Sequence, residues 1–522
     1  MKNNEARKLA MESCAQIEQR PTSLITYRSA GRVIVLGSEQ ALEKCDQLSG
    51  KIDLNRVTLN DKVKTIQATG HFGDYAIKLE DVFGNIDSFS ADVILDLQDQ
   101  PAIDRPLLPP GYFHVPEDRW DLQAVSEMLD DISGEFEKPK YFSYDPSICA
   151  HGVNGNTVCT NCIDACPAEA IQSIGERIEV DPFLCQGGGA CATVCPSGAI
   201  TYSYPDIRDQ GNRIRSLMQK YIEQGGSNPV LVFHAQDCSI ETLLEANQNW
   251  LALAVEELAS VGMELCLSAL CYGATQVLLL GSDEIPEVSA KAINEQLEWL
   301  HATLTGLGLD PQCVQYCLAD DLALPTNKAI EIDAAVFGLP NSKRNAMFQG
   351  LDYLATGLAV SPTITLPQSA PFGEAIIDVE KCTLCMACVG SCPGRALQDG
   401  SNREVPEIFF IESNCLQCGA CVTTCPEGAI QLNAQIVLDR EARNRSRRLN
   451  TDTPFACISC GKAFAPSSVI HKMQDKLKDH YMFDSARALD RLKMCEDCRV
   501  ADIVQDPDAL GGQFDPKNQF RH

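Results

Sequence analysis

Two stretches of the chain carry cysteines in one rhythm. "CTLCMACVGSCP" supplies Cys382, Cys385, Cys388 and Cys392, then Pro393; "CLQCGACVTTCP" supplies Cys415, Cys418, Cys421 and Cys425, then Pro426. Three thiolates at i, i+3 and i+6 wrap a tight loop around one face of an iron–sulfur cube, with the loop's N–H groups aimed at the cluster sulfurs. The fourth, just ahead of proline, lies too far along to close on the same cube and crosses to its neighbour. The spacing therefore predicts one [4Fe–4S] cluster on Cys382, Cys385, Cys388 and Cys425, and a second on Cys415, Cys418, Cys421 and Cys392. Eight cysteines at this doubled spacing argue against zinc.

An earlier block repeats the design with two departures. "CTNCIDACPAEAI" gives Cys159, Cys162 and Cys166 before Pro167, but Asn156 stands where the first cysteine is expected. Cys149 lies upstream and can swing in over "AHGVNGNTV", whose glycines and asparagines suit a looped insertion. One [4Fe–4S] cluster is thus expected on Cys149, Cys159, Cys162 and Cys195; the alternatives are Cys149 as a bystander and His151 as a competing ligand. The second run, "CQGGGACATVCP", aligns Cys185, Cys191 and Cys195 with Cys415, Cys421 and Cys425, and sets Gly188 on Cys418. With Cys166 crossing over, the site has three thiolates. That set favours a [3Fe–4S] cluster; a [4Fe–4S] cluster completed by water or a distant ligand, and an empty site, are the alternatives. A missing thiolate also removes one negative charge, which raises the potential and makes this cluster the electron sink of its pair.

The tail holds two C-x2-C pairs, Cys457–Cys460 and Cys495–Cys498, with no third cysteine and no C-P step. Paired knuckles of this kind make a closed, structural four-cysteine zinc site. His471 and His480 read as solvent-facing rather than as ligands. Cys238, Cys266, Cys271, Cys313 and Cys317 form no C-x2-C and read as buried or incidental thiols, as do Cys14 and Cys45.

These sites need scaffolds. The 522 residues allow three or four domains. "GRVIVLG", "RVTLN", "DYAIKL" and "ADVILDL" read as strands and "SEQALEKCDQL" as a helix, giving an N-terminal α/β domain over 1–148 that closes with a proline-rich connector at 101–116. No G-x-G-x-x-G follows the first strand, so a structural role is expected. The first cysteine module spans 149–204. Residues 205–370 return to buried strands, "NPVLVFH" and "TQVLLLG", and to a helix over "SAKAINEQLEWLHATLTGLG" ending at Gly308, as in a parallel α/β domain. The second module covers 371–435. The helical tail, 436–522, has Ile470, Met473, Leu477 and Tyr481 at helical spacing. The fold class is α/β and multidomain, with two cluster modules and a zinc-knuckle tail.

Composition narrows function. There are 26 cysteines, and the net charge is −28. In a long chain without a visible targeting signal, such cysteine spacing implies metal binding in a reducing, cytoplasmic compartment. The negative charge repels nucleic acid and suits docking on a basic patch of a redox partner. "WLALAVEELASVGMELCLSALC" is apolar, but Glu256, Glu257 and Glu264 interrupt it, so no membrane insertion is expected.

The two cysteine blocks resemble bacterial dicluster ferredoxins. "LSALCYGATQVLLLG" is similar to the hydrogenase δ-subunit domain, but lacks most of that domain's cluster cysteines. The whole layout, with "PPGYFHVPED", "KPKYFSYDPSICAHG" and "CEDCRV", resembles large proteobacterial 4Fe–4S proteins associated with formate dehydrogenase gene clusters. The resemblance implies a polyferredoxin passing electrons between redox partners, formate dehydrogenase among them. A maturation factor for a molybdenum formate dehydrogenase and a flavin- or NAD-linked oxidoreductase subunit are the rival readings. No nucleophile constellation, phosphate loop or open catalytic metal site points to a catalytic subunit.

Overall fold

The computed structural model describes residues 2–48, 53–153, 155–236, 238–282, 285–318, 332–356, 361–400 and 405–506. Asn154 of the insertion and residues 507–522 of the tail lie outside the described residues. The chain divides into two compact units, Met1–Ser361 and Pro362–His522.

The first unit contains two parallel sheets. In the N-terminal one, Asp53–Thr58, Arg32–Gly37, Val93–Asp96 and Tyr112–His114 lie side by side in that order. "RVIVLG" is apolar at successive positions because both faces are covered. Val33 and Val35 pack with Leu42 and Val125 on one side, and Ile34 and Leu36 with Tyr75 and Ile77 on the other. The second face is supplied by an antiparallel meander, Val63–His71, Asp74–Asp81 and Ile86–Ala91. The proline-rich connector is more than a spacer. Its strand Tyr112–His114 completes the sheet, and its Leu107 N–H donates to Pro167 of the first cysteine block at 3.0 Å.

The central sheet runs Trp250–Val255, Val230–Ala235, Gln276–Gly281, Val314–Leu318, all parallel. The apolar stretch at 250–271 is a buried strand followed by the helix Met263–Cys271. Among the described residues, no helix is long and apolar enough to cross a membrane. The helix Glu287–Gly306 stops ahead of Gly308, whose φ of +73° favours glycine. The first helix, Lys2–Ala15, leaves the N-terminal sheet and packs on Ile207–Glu223; Arg7 donates to the Asn247 carbonyl at 3.0 Å.

Both cysteine blocks use one scaffold. In the first, Phe142–Tyr144 pairs with Ile200–Tyr202 and Ile171–Ile174 with Arg177–Val180; the short helices Asn161–Asp164 and Ala190–Val194 follow the loops. In the second unit, Gly373–Ile377 pairs with Ile430–Val437 and Leu397–Asp399 with Glu407–Phe410, with helices Ala387–Gly390 and Ala420–Thr424. There the sheets are extended by Thr363–Thr365 and Arg447–Thr451. The tail adds the hairpin Pro454–Ala456 with Ala463–Pro466 and three helices, Ser467–Leu477, Ala486–Arg491 and Glu496–Gln505. The first of these ends at Leu477, short of the expected Tyr481. Tyr481 is 69% exposed, so no core holds it on the helical face, and it opens a separate turn capped by the His480 ring.

Candidate cluster and metal sites

In the second block, the thiols gather in crossed sets. Burial pushes the Cys388 thiol up to about 12, and its electrostatic neighbours are Cys382, Cys385 and Cys425. Burial raises Cys421 to about 12 as well, with Cys415, Cys418 and Cys392 beside it. Each fourth cysteine thus sits with the other loop's three. Sulfur-directed N–H groups come from the C-P turns: Ala396 N donates to Cys392 Sγ at 3.2 Å and Ala429 N to Cys425 Sγ at 3.3 Å.

The first block gathers its thiols the same way. Burial raises Cys162 to about 12, and Cys195, Cys159 and Cys149 add to the rise. Burial raises Cys191 still more clearly, with Cys166 and Cys185 as its leading neighbours. Cys149 reaches its set because the inserted segment folds away as a hairpin, pairing Gly152 with Thr157 and Val153 with Asn156. A second register supports the equivalence of Cys149 and Cys382. Asp145 N donates to Ala199 O and Asp378 N to Ala429 O, each at 2.8 Å, and the cysteine follows four residues later in both. His151 is not offered as a ligand. Its Nδ1 bonds the Cys159 carbonyl and its Nε2 the Ser173 hydroxyl, both at 2.7 Å, which leaves the ring positioning the loop.

The Gly188 loop keeps the backbone of a cluster loop. Cys385 is flanked by Leu384 and Met386, with φ of 55° and 61°; Cys418 is flanked by Gln417 and Gly419, with 52° and 81°. Gly188 is flanked by Gly187 and Gly189, with 82° and 75°. Leu384, Met386 and Gln417 hold the same backbone without glycine, so it is packing that demands glycine at 187 and 189. A Cβ on Gly187 would stand 2.9 Å from the Tyr141 ring, and one on Gly189 2.5 Å from Ser260. Gly188 has no such constraint, since a Cβ there meets nothing nearer than Pro167 Cγ at 3.7 Å. The position has room for a Cβ and carries none.

Matching cavities lie inside these loops. One is lined by Cys392, Cys415, Cys418 and Cys421; a larger one by Cys166, Cys185, Gly188 and Cys191. Apart from its thiols, the larger cavity has a single polar side chain, Gln186, and that amide donates to Leu108 O at 2.9 Å. Buried thiols around an apolar space fit an iron–sulfur cluster and offer nothing to recognise a polar substrate.

The tail cysteines are packed differently. Sulfurs of Cys457, Cys460, Cys495 and Cys498 all lie within 4.8 Å of one another, and Cys460 to Cys495 is 3.7 Å. Tetrahedral zinc with Zn–S bonds of about 2.3 Å sets its sulfurs about 3.8 Å apart, so this donor set fits one ion. No other group of three or more metal-ligating side chains is this tight among the described residues. Gly461, at φ +76°, closes the knuckle with N–H donation to Cys457 O at 2.8 Å. Burial opposes ionisation of Cys457, yet backbone N–H groups, led by Cys495 N at 3.3 Å, bring it down to about 6. His471 and His480 are exposed and outside the group. In the central domain, Cys266, Cys271 and Cys313 are buried, and burial raises each thiol.

Three supporting residues had no signal in the cysteine spacing. Lys138 Nζ donates to the carbonyls of Phe183 and Cys185 at 2.8 and 2.7 Å, and burial draws it down to about 8. Ser197 intercepts the Ala199 N–H at 3.2 Å and lies 3.6 Å from Cys195 Sγ, replacing the direct N–H to sulfur bond of the other turns. Lys343, from the central domain, reaches the Ala192 and Cys195 carbonyls at 3.0 and 3.2 Å. The Asp that precedes Cys149, Cys185 and Cys382 by four residues was readable: "DPSIC", "DPFLC" and "DVEKC".

The 4Fe–4S dicluster domain family matches residues 381–430, and the 4Fe–4S binding domain family matches 178–201, which includes the Gly188 loop. A comparison with curated proteins found no match. The two matches place ferredoxin-type 4Fe–4S domains within the chain and support an iron–sulfur electron-transfer role.

Proposed function

We propose that the chain is a polyferredoxin holding four clusters and one zinc ion, and that it passes single electrons between two redox proteins. The ligand sets are Cys382, Cys385, Cys388 and Cys425; Cys415, Cys418, Cys421 and Cys392; Cys149, Cys159, Cys162 and Cys195, each for [4Fe–4S]; and Cys166, Cys185 and Cys191 for [3Fe–4S]. Cys457, Cys460, Cys495 and Cys498 hold the zinc. The observation that carries the reading is the crossed gathering of thiols in both blocks. The apolar surroundings of the incomplete site favour electron transfer over substrate binding. The partner we propose is formate dehydrogenase, on the resemblance of the layout.

Anaerobically isolated protein is expected to carry about 15 iron atoms and one zinc. The oxidised sample is expected to show a [3Fe–4S] electron-spin signal. Iron at or below about 12 atoms overturns the four-cluster reading. Bound flavin, or clusters reduced directly by NAD(P)H, would move the protein to the oxidoreductase-subunit reading. For the partner, loss of the gene should leave formate dehydrogenase assembled and active with artificial dyes but cut off from its physiological acceptor. An inactive dehydrogenase would indicate a maturation factor instead.

A further inference from the structure

The helix Ala190–Val194 lies between the two thiol sets of the first block. It carries Cys191 of one set and leads directly into Cys195 of the other. At its C-terminal end the carbonyls of Ala192, Thr193 and Cys195 all accept hydrogen bonds from a single ammonium, Lys343 Nζ. An ammonium has three donors, and all three are used. Lys343 opens the helix Lys343–Ala355 of the central domain and is part of neither cysteine motif. Its stem is partly exposed, but its charged end lies in protein, where burial lowers its pKa and the nearest opposing charges include Glu264, Cys195 and Cys191. Glu264 is itself buried, and burial raises its carboxyl pKa against the pull of Lys343.

We propose that Lys343 is a positioning residue that sets the reduction potential of the first block's clusters, holding them more oxidising than those of the second. The physical reason is charge. Reduction adds one negative charge to a site of low dielectric, and a fixed cation nearby stabilises the reduced form. The cation also caps the carbonyls at a helix C-terminus, offsetting their negative ends. The matching helix of the second block, Ala420–Thr424, has Val422 and Thr423 exposed, a setting of higher dielectric. The inference rests on the four-cluster reading, and the closing experiment separates the two.

Redox titration of the full chain, followed by electron-spin resonance, reads all clusters in one sample. Iron and sulfide counts on the unaltered protein test the four-cluster reading by themselves. In Lys343→Met, the first-block midpoints should fall while the second-block midpoints stay in place as internal standards. Lys343→Arg should restore them. Because the charge is enclosed, the shift should persist from 0.1 to about 1 M salt, where exposed charges are screened. If Lys343→Met loses iron, Lys343→Gln carries the test, since its amide keeps two N–H donors without the charge. First-block midpoints unmoved in an iron-replete neutral variant would overturn the proposal, and so would an equal fall in both blocks.

Discussion

The helix after the Gly188 loop is buried against the central domain, with Thr193 bonded to the Ala259 carbonyl at 3.0 Å; its counterpart after the Cys418 loop has Val422 40% exposed. The two loops share their backbone down to the pair of left-handed residues around the second ligand position. What differs is everything outside the loop. In the first block, lysines from two flanking domains reach the carbonyls of Cys185 and Cys195. In the second, Gln417 Nε2 lies 3.3 Å from Cys415 Sγ, Cys385 is exposed, and the tail supplies the cover. A cluster's ligands come from a short motif, but its potential and its access to solvent come from the residues around it. One loop design can therefore sit in an enclosed setting and in an open one.

The sharpest way to break this comparison is to remove the crossing cysteines. Cys425→Ala should lose about four irons from the set built on Cys382, Cys385 and Cys388, and Cys195→Ala the same number from the set with Cys149. Iron analysis with the electron-spin spectrum of each variant checks which cluster has gone. Loss from the cysteine's own loop would undo the crossed assignment in that block.

Stripping the tail metal should act on one block alone. Ser468 Oγ donates to Thr383 O at 3.2 Å and Lys472 pairs with Glu427, so the tail rests beside both loops of the second block. Removal of zinc by a chelator that spares the clusters should speed bleaching of the second-block absorbance in air by several-fold, about 1 kcal/mol or more of lost protection. First-block bleaching should not change.

An exchange of ligands comes next. Gly188→Cys should abolish the [3Fe–4S] signal and raise the count by about one iron, since the Cβ has room at 3.7 Å from Pro167. Cys418→Gly should do the reverse in the second block. A Gly188→Cys protein that still shows the signal would mean that the cavity, rather than the absent thiol, limits the cluster.

The smallest effect is expected at Ser197. Ser197→Ala frees the Ala199 N–H to point at Cys195 Sγ, as the equivalent N–H groups do in the other C-P turns. The midpoint of that one cluster should rise slightly, with stability changed by no more than about 1 kcal/mol. A fall in the midpoint would show that the serine hydroxyl already supplies the stronger hydrogen bond.

Much of the site was legible because cluster ligation is a local affair. Two- and three-residue gaps fix which thiols can face one cube, and the C-P step marks the one that crosses. Parallel-sheet strands such as "RVIVLG" and "TQVLLLG" were legible because burial on both faces leaves continuous apolar runs. The strand Tyr112–His114 was hidden among prolines, because its pairing depends on a neighbour far along the chain. His151 could compete as a ligand on type alone; its two hydrogen bonds at 2.7 Å give it another task. Tyr481 carried the helical period but had no surface to pack on.

By itself, the sequence determined the spacing of the thiols, that Gly188 stands at the position matching Cys418, and that the tail cysteines form a separate set. Those are consequences of chain connectivity over a few residues, where geometry leaves few options. Tertiary structure decided the rest. It placed Lys343, about 150 positions from its acceptors, against the helix between two thiol sets, folded the insertion away so that Cys149 reaches its partners, and left room at Gly188 for a side chain that is absent. Electrostatics and packing act through space, and no spacing rule along a chain specifies which distant charge will be brought near.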